Sequence, residues 1–151
     1  ADKVQVVVQP QSIIHSMVEF KDGAVMAQLG SPDMRLPIQY ALYYPERREL
    51  NTDRLDFYEL SGITFEKPDM ETFRGLKLAY EAADRGGNIP TAYNAANEVA
   101  VARFLDRQIR YLDIPDIIEY AMKEVDYIEN PTVEEILSTQ DYVTEIIKGR
   151  W

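Results

Sequence analysis

The chain has no cysteine, which excludes a disulfide framework and any thiolate-held metal. Positive charge is also scarce, with 16 Lys and Arg against 26 Asp and Glu and a formal net charge of -10. A nucleic-acid surface needs a basic stripe to displace counterions, and no such stripe exists here. An anionic membrane surface is disfavoured for the same reason. No apolar run approaches membrane-spanning length, and no charged-then-apolar leader opens the chain. Glycine-rich phosphate loops are missing too. There is no Gly-x-Gly-x-x-Gly between a strand and a helix and no Gly-Lys-Ser/Thr, so neither a dinucleotide fingerprint nor a phosphate loop can be read. Gly86-Gly87 is only a pair, placed where a helix should stop. Repeats and low-complexity segments are absent.

What is present suits a folded chain. Hydrophobic residues make up 46% and aromatics 11% of 151 residues, enough for a core and too much for disorder. Most of the acidic excess lies beyond residue 44, where it reads as the solvated face of helices.

Residues 4–29 alternate with period two and predict three short strands. Val4, Val6 and Val8 share one face of the first. Ile14, Ser16, Val18 and Phe20 share a face of the next, with Ile13, His15, Met17 and Glu19 opposite. A two-residue turn at Asp22-Gly23 would pair Val18 with Ala27, Ser16 with Leu29, His15 with Gly30 and Ser12 with Asp33. That register brings Ser12 and His15 to the Ser31–Met34 loop, and loops held by rigid strands often carry function. Three strands cannot bury both faces alone, so the sheet expects a partner.

Residues 34–44 predict a short helix that tolerates Pro37 in its first turn. Residues 45–68 form a long charged connection, of the kind that is functional or a linker. Residues 69–149 predict four helices. The first begins at Asp69 and Thr72, carries the stripe Phe73, Leu76, Tyr80 and Ala83, and ends at Gly86-Gly87. The second follows Pro90 with Tyr93, Ala96, Ala100, Val101 and Phe104. Asp113 caps the third, whose stripe is Ile114, Ile117, Ile118, Ala121, Met122 and Val125. Thr132 and Glu135 form a capping box for the fourth, with the stripe Val133, Ile136, Leu137, Val143 and Ile147. The expected fold is α+β: a partial mixed or antiparallel sheet, a linker, and a small four-helix bundle. The expected division is 1–44, 45–68 and 69–151.

The wording of several segments is distinctive. QPQSIIHSMV and DGAVMAQLGSPDMRLPIQYAL are followed in order by LDFYELSGITFEKPD at 55–69, LKLAYEAADRGG at 76–87 and NAANEVAVARFLDRQIRYLDIPDIIE at 94–119. This series resembles the 1-deoxy-D-xylulose 5-phosphate reductoisomerase family, from about residue 3 to about residue 125. Gln9 stands where that family spells histidine.

The resemblance implies the C-terminal part of a longer enzyme: the end of its catalytic domain, a linker and a helical domain. Such an enzyme, working in isoprenoid-precursor synthesis, rearranges and reduces 1-deoxy-D-xylulose 5-phosphate to 2-C-methyl-D-erythritol 4-phosphate. It uses NADPH and Mg²⁺ or Mn²⁺. The nucleotide domain, metal carboxylates and phosphate contacts precede the matching segment, so no cofactor-binding or metal-binding residue and no bound cofactor are expected in this chain. The fragment alone is expected to be inactive. A homodimer through the sheet of residues 4–29 is implied, in the cytoplasm or, for a plant-type source, the plastid stroma. No nucleic-acid or membrane partner is expected.

The same resemblance assigns roles. His15 corresponds to a histidine that lines the substrate site, and is the expected catalytic residue. Ser12, His15, Pro32 and Met34 are the expected substrate contacts. From the residues alone Ser12, His15 and Met34 have plainer readings. His15 could be a core histidine, Ser12 a strand-end serine, and Met34 part of a helix start. A glutamine at position 9 hydrogen-bonds but cannot take up a proton near neutrality. If the family histidine does acid-base or ionic work, this chain has lost it; if that histidine only fixes the turn, a glutamine suffices. Asn94, Asn97 and Glu98 share a helix face, but one carboxylate and two amides make a poor divalent site. They read as polar helix packing or a hydrogen-bonded contact to the sheet domain. Asp113 and Asp116 read as helix N-terminal charges. Two other classes remain open: a non-catalytic folding and dimerisation module, and a small-ligand domain of unrelated function.

Overall fold

The computed structural model describes residues 2–151, so the first residue of the 1–44 span lies outside the described residues. The fold is α+β, with two strands and five helices: β1 (Ile14–Glu19), β2 (Val25–Leu29), α1 (Arg35–Tyr43), α2 (Arg74–Arg85), α3 (Ile89–Leu105), α4 (Asp113–Glu124) and α5 (Val133–Lys148). The chain divides into two compact units. One is Val6–Pro68; the other is Asp69–Trp151 with the N-terminal residues up to Gln5. No helix among the described residues is long and apolar enough to cross a membrane.

In the first unit β1 and β2 form an antiparallel hairpin. The two-residue turn expected from Asp22-Gly23 is replaced by a three-residue loop. Phe20 N–H donates to Ala24 O at 2.8 Å, and Gly23 N–H to Phe20 O at 2.9 Å. Gly23 takes φ +85°, a left-handed conformation that favours glycine, and Asp22 Oδ1 accepts the Ala24 N–H. One extra loop residue slips the register by one. Met17 therefore faces Ala27, and Val18 faces Met26.

The third strand expected over residues 4–8 does not form. Only Val8 bridges, antiparallel, to Glu66, with reciprocal N–H···O bonds of 3.0 and 2.9 Å. The partner is thus in the 45–68 segment, which has no helix or strand beyond this bridge. Helix α1 starts one residue after Met34, with Pro37 in its first turn as expected.

The second unit buries one cluster: Leu78 and Ala82 of α2, Ile89, Ala92, Ala95, Ala96 and Ala100 of α3, Ile117, Ile118, Ala121 and Met122 of α4, and Val143 and Ile147 of α5. Each fully buried isoleucine contributes about 1.5–3 kcal/mol over its exposed state. The α4 stripe is the expected one. The α2 stripe is not: Leu78 and Ala82 turn inward, while Phe73 and Ala83 are exposed. Phe73 precedes the helix, because Asp69 Oδ1 caps a separate turn by accepting the N–H groups of Glu71 and Thr72. In α5, Val133 and Leu137 lie outside the core and Thr139 inside it. Its capping box forms as expected, with Glu135 N–H donating to Thr132 Oγ1 and Thr132 N–H to Glu135 Oε2. Asp113 does not cap α4. Its carboxylate accepts the Arg110 N–H at 2.8 Å and pairs with the Arg110 guanidinium.

Candidate functional site

A hollow of about 480 Å³ opens in the Val6–Pro68 unit, lined by Ser12, His15, Gln28, Ser31, Pro32, Asp33, Met34, Leu36, Pro37, Tyr40 and Arg47. The four residues singled out from sequence, Ser12, His15, Pro32 and Met34, all lie on its wall. Their convergence arises in three local steps.

The first step is the turn before β1. Pro10 fixes φ at the second position of a turn closed by Ser12 N–H donating to Gln9 O at 3.0 Å. Ser12 then takes φ +53°, uncommon for a residue with a Cβ and worth about 1–2 kcal/mol of strain. The Gln9 side chain holds this arrangement. Its Oε1 accepts the N–H of buried Ile13 at 2.8 Å and of Ile14 at 3.3 Å. Gln11 ties the turn to the 45–68 segment, donating to Thr64 Oγ1 at 2.9 Å.

The second step is a bulge. Ile14 pairs with Leu29 and Ser16 with Gln28, so His15 is an extra residue on β1. It does not pair with Gly30, as the expected register had it; Gly30 N–H donates to Ile13 O at 3.0 Å. A bulge interrupts the alternation and re-aims a side chain. His15 accordingly lines the hollow and is exposed.

The third step is the loop from Ser31 to Met34. Asp33 N–H donates to Ser31 O, and Asp33 Oδ1 accepts the Arg35 N–H at 2.9 Å, closing the loop onto the start of α1. The Arg35 guanidinium also hydrogen-bonds this carboxylate and holds its pKa below the usual aspartate value. Asp33 is therefore a structural anion that fixes Met34, which is 70% exposed on the rim. Also lining the hollow, the Arg47 guanidinium lies 4.0 Å over the Tyr40 ring and pairs with no carboxylate among the described residues. Sequence reading missed Tyr40 and Arg47, which lie beyond the loop; it placed Asp33 in the loop but missed its clamp to Arg35, for which the Asp-x-Arg spacing was the available signal.

The hollow does not fit a divalent cation. Its only carboxylate is committed to Arg35, and among the described residues no cluster of three or more acidic or histidine side chains could hold a metal. Asn94, Asn97 and Glu98 lie on α3, where Asn94 Nδ2 contacts Glu98 Oε1 at 3.4 Å. That pair is exposed and offers one carboxylate.

A bulged hairpin, a clamped Pro-Asp-Met loop and a following helix around one hollow define an α+β protein with a small-molecule-sized concavity in its strand-bearing unit. The chain belongs to the 1-deoxy-D-xylulose 5-phosphate reductoisomerase family: residues 29–146 match the model of the DXP reductoisomerase C-terminal domain. It is 87% identical over 151 residues to the 1-deoxy-D-xylulose 5-phosphate reductoisomerase of Lachnospira eligens, covering 100% of this chain and 40% of that protein. Identity to the reductoisomerase of Agathobacter rectalis is 61% over 149 residues, 99% of this chain and 39% of that protein. A crystal structure of DOX-P reductoisomerase in complex with NADPH, fosmidomycin and magnesium is 40% identical and superposes with a TM-score of 0.87, covering 96% of this chain and 38% of that one. The Zymomonas mobilis enzyme in complex with NADPH gives a TM-score of 0.83 at 43% identity, covering 95% of this chain and 38% of that one. The chain thus spans about 40% of the length of the relatives it matches.

Proposed function

We propose that this chain forms the C-terminal part of an NADPH- and Mg²⁺- or Mn²⁺-dependent reductoisomerase that converts 1-deoxy-D-xylulose 5-phosphate to 2-C-methyl-D-erythritol 4-phosphate in isoprenoid-precursor synthesis. The single observation that carries the reading is the convergence of Ser12, His15, Pro32 and Met34 on one hollow in a chain of this family. When bound, NADPH supplies the hydride and the metal the positive charge; residues outside this chain hold both. The chain's own side chains bind and enclose. Ser12 Oγ and the His15 imidazole offer hydrogen bonds to substrate hydroxyls. Pro32 and Met34 form an apolar wall that excludes water, and the Met34 thioether adapts its shape to the ligand. In this reading residues 1–44 belong to the catalytic sheet domain, 45–68 join it to the rest, and 69–151 are the C-terminal helical domain.

The proposed partner of the hairpin is a second copy of this chain. Val18, Val25 and Met26 are each more than half exposed on β1 and β2, and such apolar strand surface favours pairing.

The test uses the purified 151-residue chain. Titration with NADPH should show no tight binding, and no NADPH should be consumed with substrate and Mg²⁺. Light scattering at high micromolar concentration should give a dimer or larger species. Turnover by the chain alone would overturn the assignment of the chemistry to residues outside it, and a sharp monomer mass would overturn the pairing.

A further inference from the structure

We propose that Gln9 is a positioning residue for the site: its side-chain oxygen holds Ser12 in its left-handed conformation and sets the bulged His15 at the wall of the hollow. The inference takes the roles of Ser12 and His15 from the reading above, but its geometry stands independently.

Between Gln9 and His15 the backbone does two costly things. Ser12 adopts φ +53°, and β1 admits an extra residue at His15. Neither is a conformation that a free serine-isoleucine-isoleucine-histidine segment would prefer, so something must over-determine both. Two N–H groups lie between them, on Ile13 and Ile14. Both donate to one atom, Gln9 Oε1, at 2.8 and 3.3 Å. The backbone oxygen of the same residue accepts the Ser12 N–H at 3.0 Å. One residue therefore accepts three consecutive N–H groups.

The chemistry suits an amide. A carbonyl oxygen has two lone pairs and serves two donors at once; a neutral imidazole offers one acceptor nitrogen and a protonated one offers none. Ile13 is buried, so its N–H would be unsatisfied without this acceptor. Gln9 itself is absent from the wall of the hollow. It acts through Ser12 and His15 rather than on a ligand.

The test exploits the chain's single histidine, whose imidazole resonances are unambiguous by NMR. In the 151-residue chain, Gln9→Leu removes the acceptor, while Gln9→Glu keeps two acceptor oxygens at neutral pH. The Ser12 N–H to Hα coupling should leave the left-handed value in Gln9→Leu, and the His15 resonances should shift and broaden. Both should stay near wild type in Gln9→Glu. In the longer enzyme, Gln9→Leu should lower the kcat/KM of the folded protein about tenfold, and Gln9→Glu should restore it to within about threefold. If Gln9→Leu does not fold, the same comparison is read on Gln9→Asn, whose amide is one methylene too short to reach both N–H groups. An unchanged Ser12 coupling and unchanged His15 resonances in a folded variant lacking the acceptor would overturn the proposal. A wild-type longer protein without reductoisomerase activity would instead overturn the functional reading, and leave the NMR arm to decide the role of Gln9.

Discussion

His15 is a residue with two possible employments, and its position separates them. A core histidine would be buried beside Ile13. The bulge instead delivers His15 to the hollow, exposed and free to meet a ligand. In the longer enzyme, His15→Gln keeps a hydrogen-bonding end and similar bulk. It should lower kcat/KM about tenfold, equivalent to about 1.4 kcal/mol, while Tm changes little. A lower Tm with unchanged kinetics would return His15 to a structural role. Asp33 makes a second residue-scale prediction. Its hydrogen bonds to Arg35 lower its pKa, so the loop clamp is fully present above the ordinary value of 3.8 and is lost as pH falls through the lowered folded value. The Asp33 carboxyl carbon resonance should therefore titrate with a midpoint below 3.8. A transition midpoint above that value would contradict the clamp.

At the scale of elements, the break between α2 and α3 is the tightest point. Gly86 and Gly87 both have positive φ, and a Cβ on Gly87 would lie 2.2 Å from the Ile128 backbone oxygen. Backbone cannot give way as a side-chain tip can. Gly87→Ala should destabilise by about 2 kcal/mol or more, a Tm loss of about 5 °C. Gly75, near the start of α2 with open space around it, is the control; Gly75→Ala should be neutral or slightly stabilising by thermal denaturation. The Gly-Gly stop was legible in sequence, as were the α5 capping box and the α4 stripe, because each depends on residues within one turn of each other. The hairpin was legible only in outline. Asp-Gly suggested a two-residue turn, but a three-residue loop with Gly23 left-handed satisfies the same dipeptide. The bulge at His15 had no local signal at all, since it depends on how Gln9 engages the backbone of Ile13 and Ile14. The inward faces of α2 and α5 were misread because Phe73, Val133 and Leu137 extend the apolar pattern without entering the core. The grouping of Ser12, His15, Pro32 and Met34 was nevertheless reached from sequence. Bringing the strand ends beside the loop survives a one-residue slip. Tyr40 and Arg47 were not reached, because they join the hollow from a helix and a connection whose path the pattern does not encode.

At the scale of the whole molecule, the helical unit owns a contiguous core, while among the described residues the strand-bearing unit has one buried hydrophobic residue, Ile13. A hairpin with exposed apolar faces beside a preformed hollow is what a chain spanning about 40% of its relatives should display if the remainder completes the site. The central claim is that these residues complete a reductoisomerase site. The most direct measurement exchanges this 151-residue chain for the matching segment of the Agathobacter rectalis enzyme, 61% identical, and follows substrate-dependent NADPH oxidation. The account predicts a folded chimera with kcat/KM within about tenfold of the parent, and a further drop of about tenfold on His15→Gln. A folded chimera that binds NADPH but turns over no substrate, or one indifferent to His15→Gln, would contradict it.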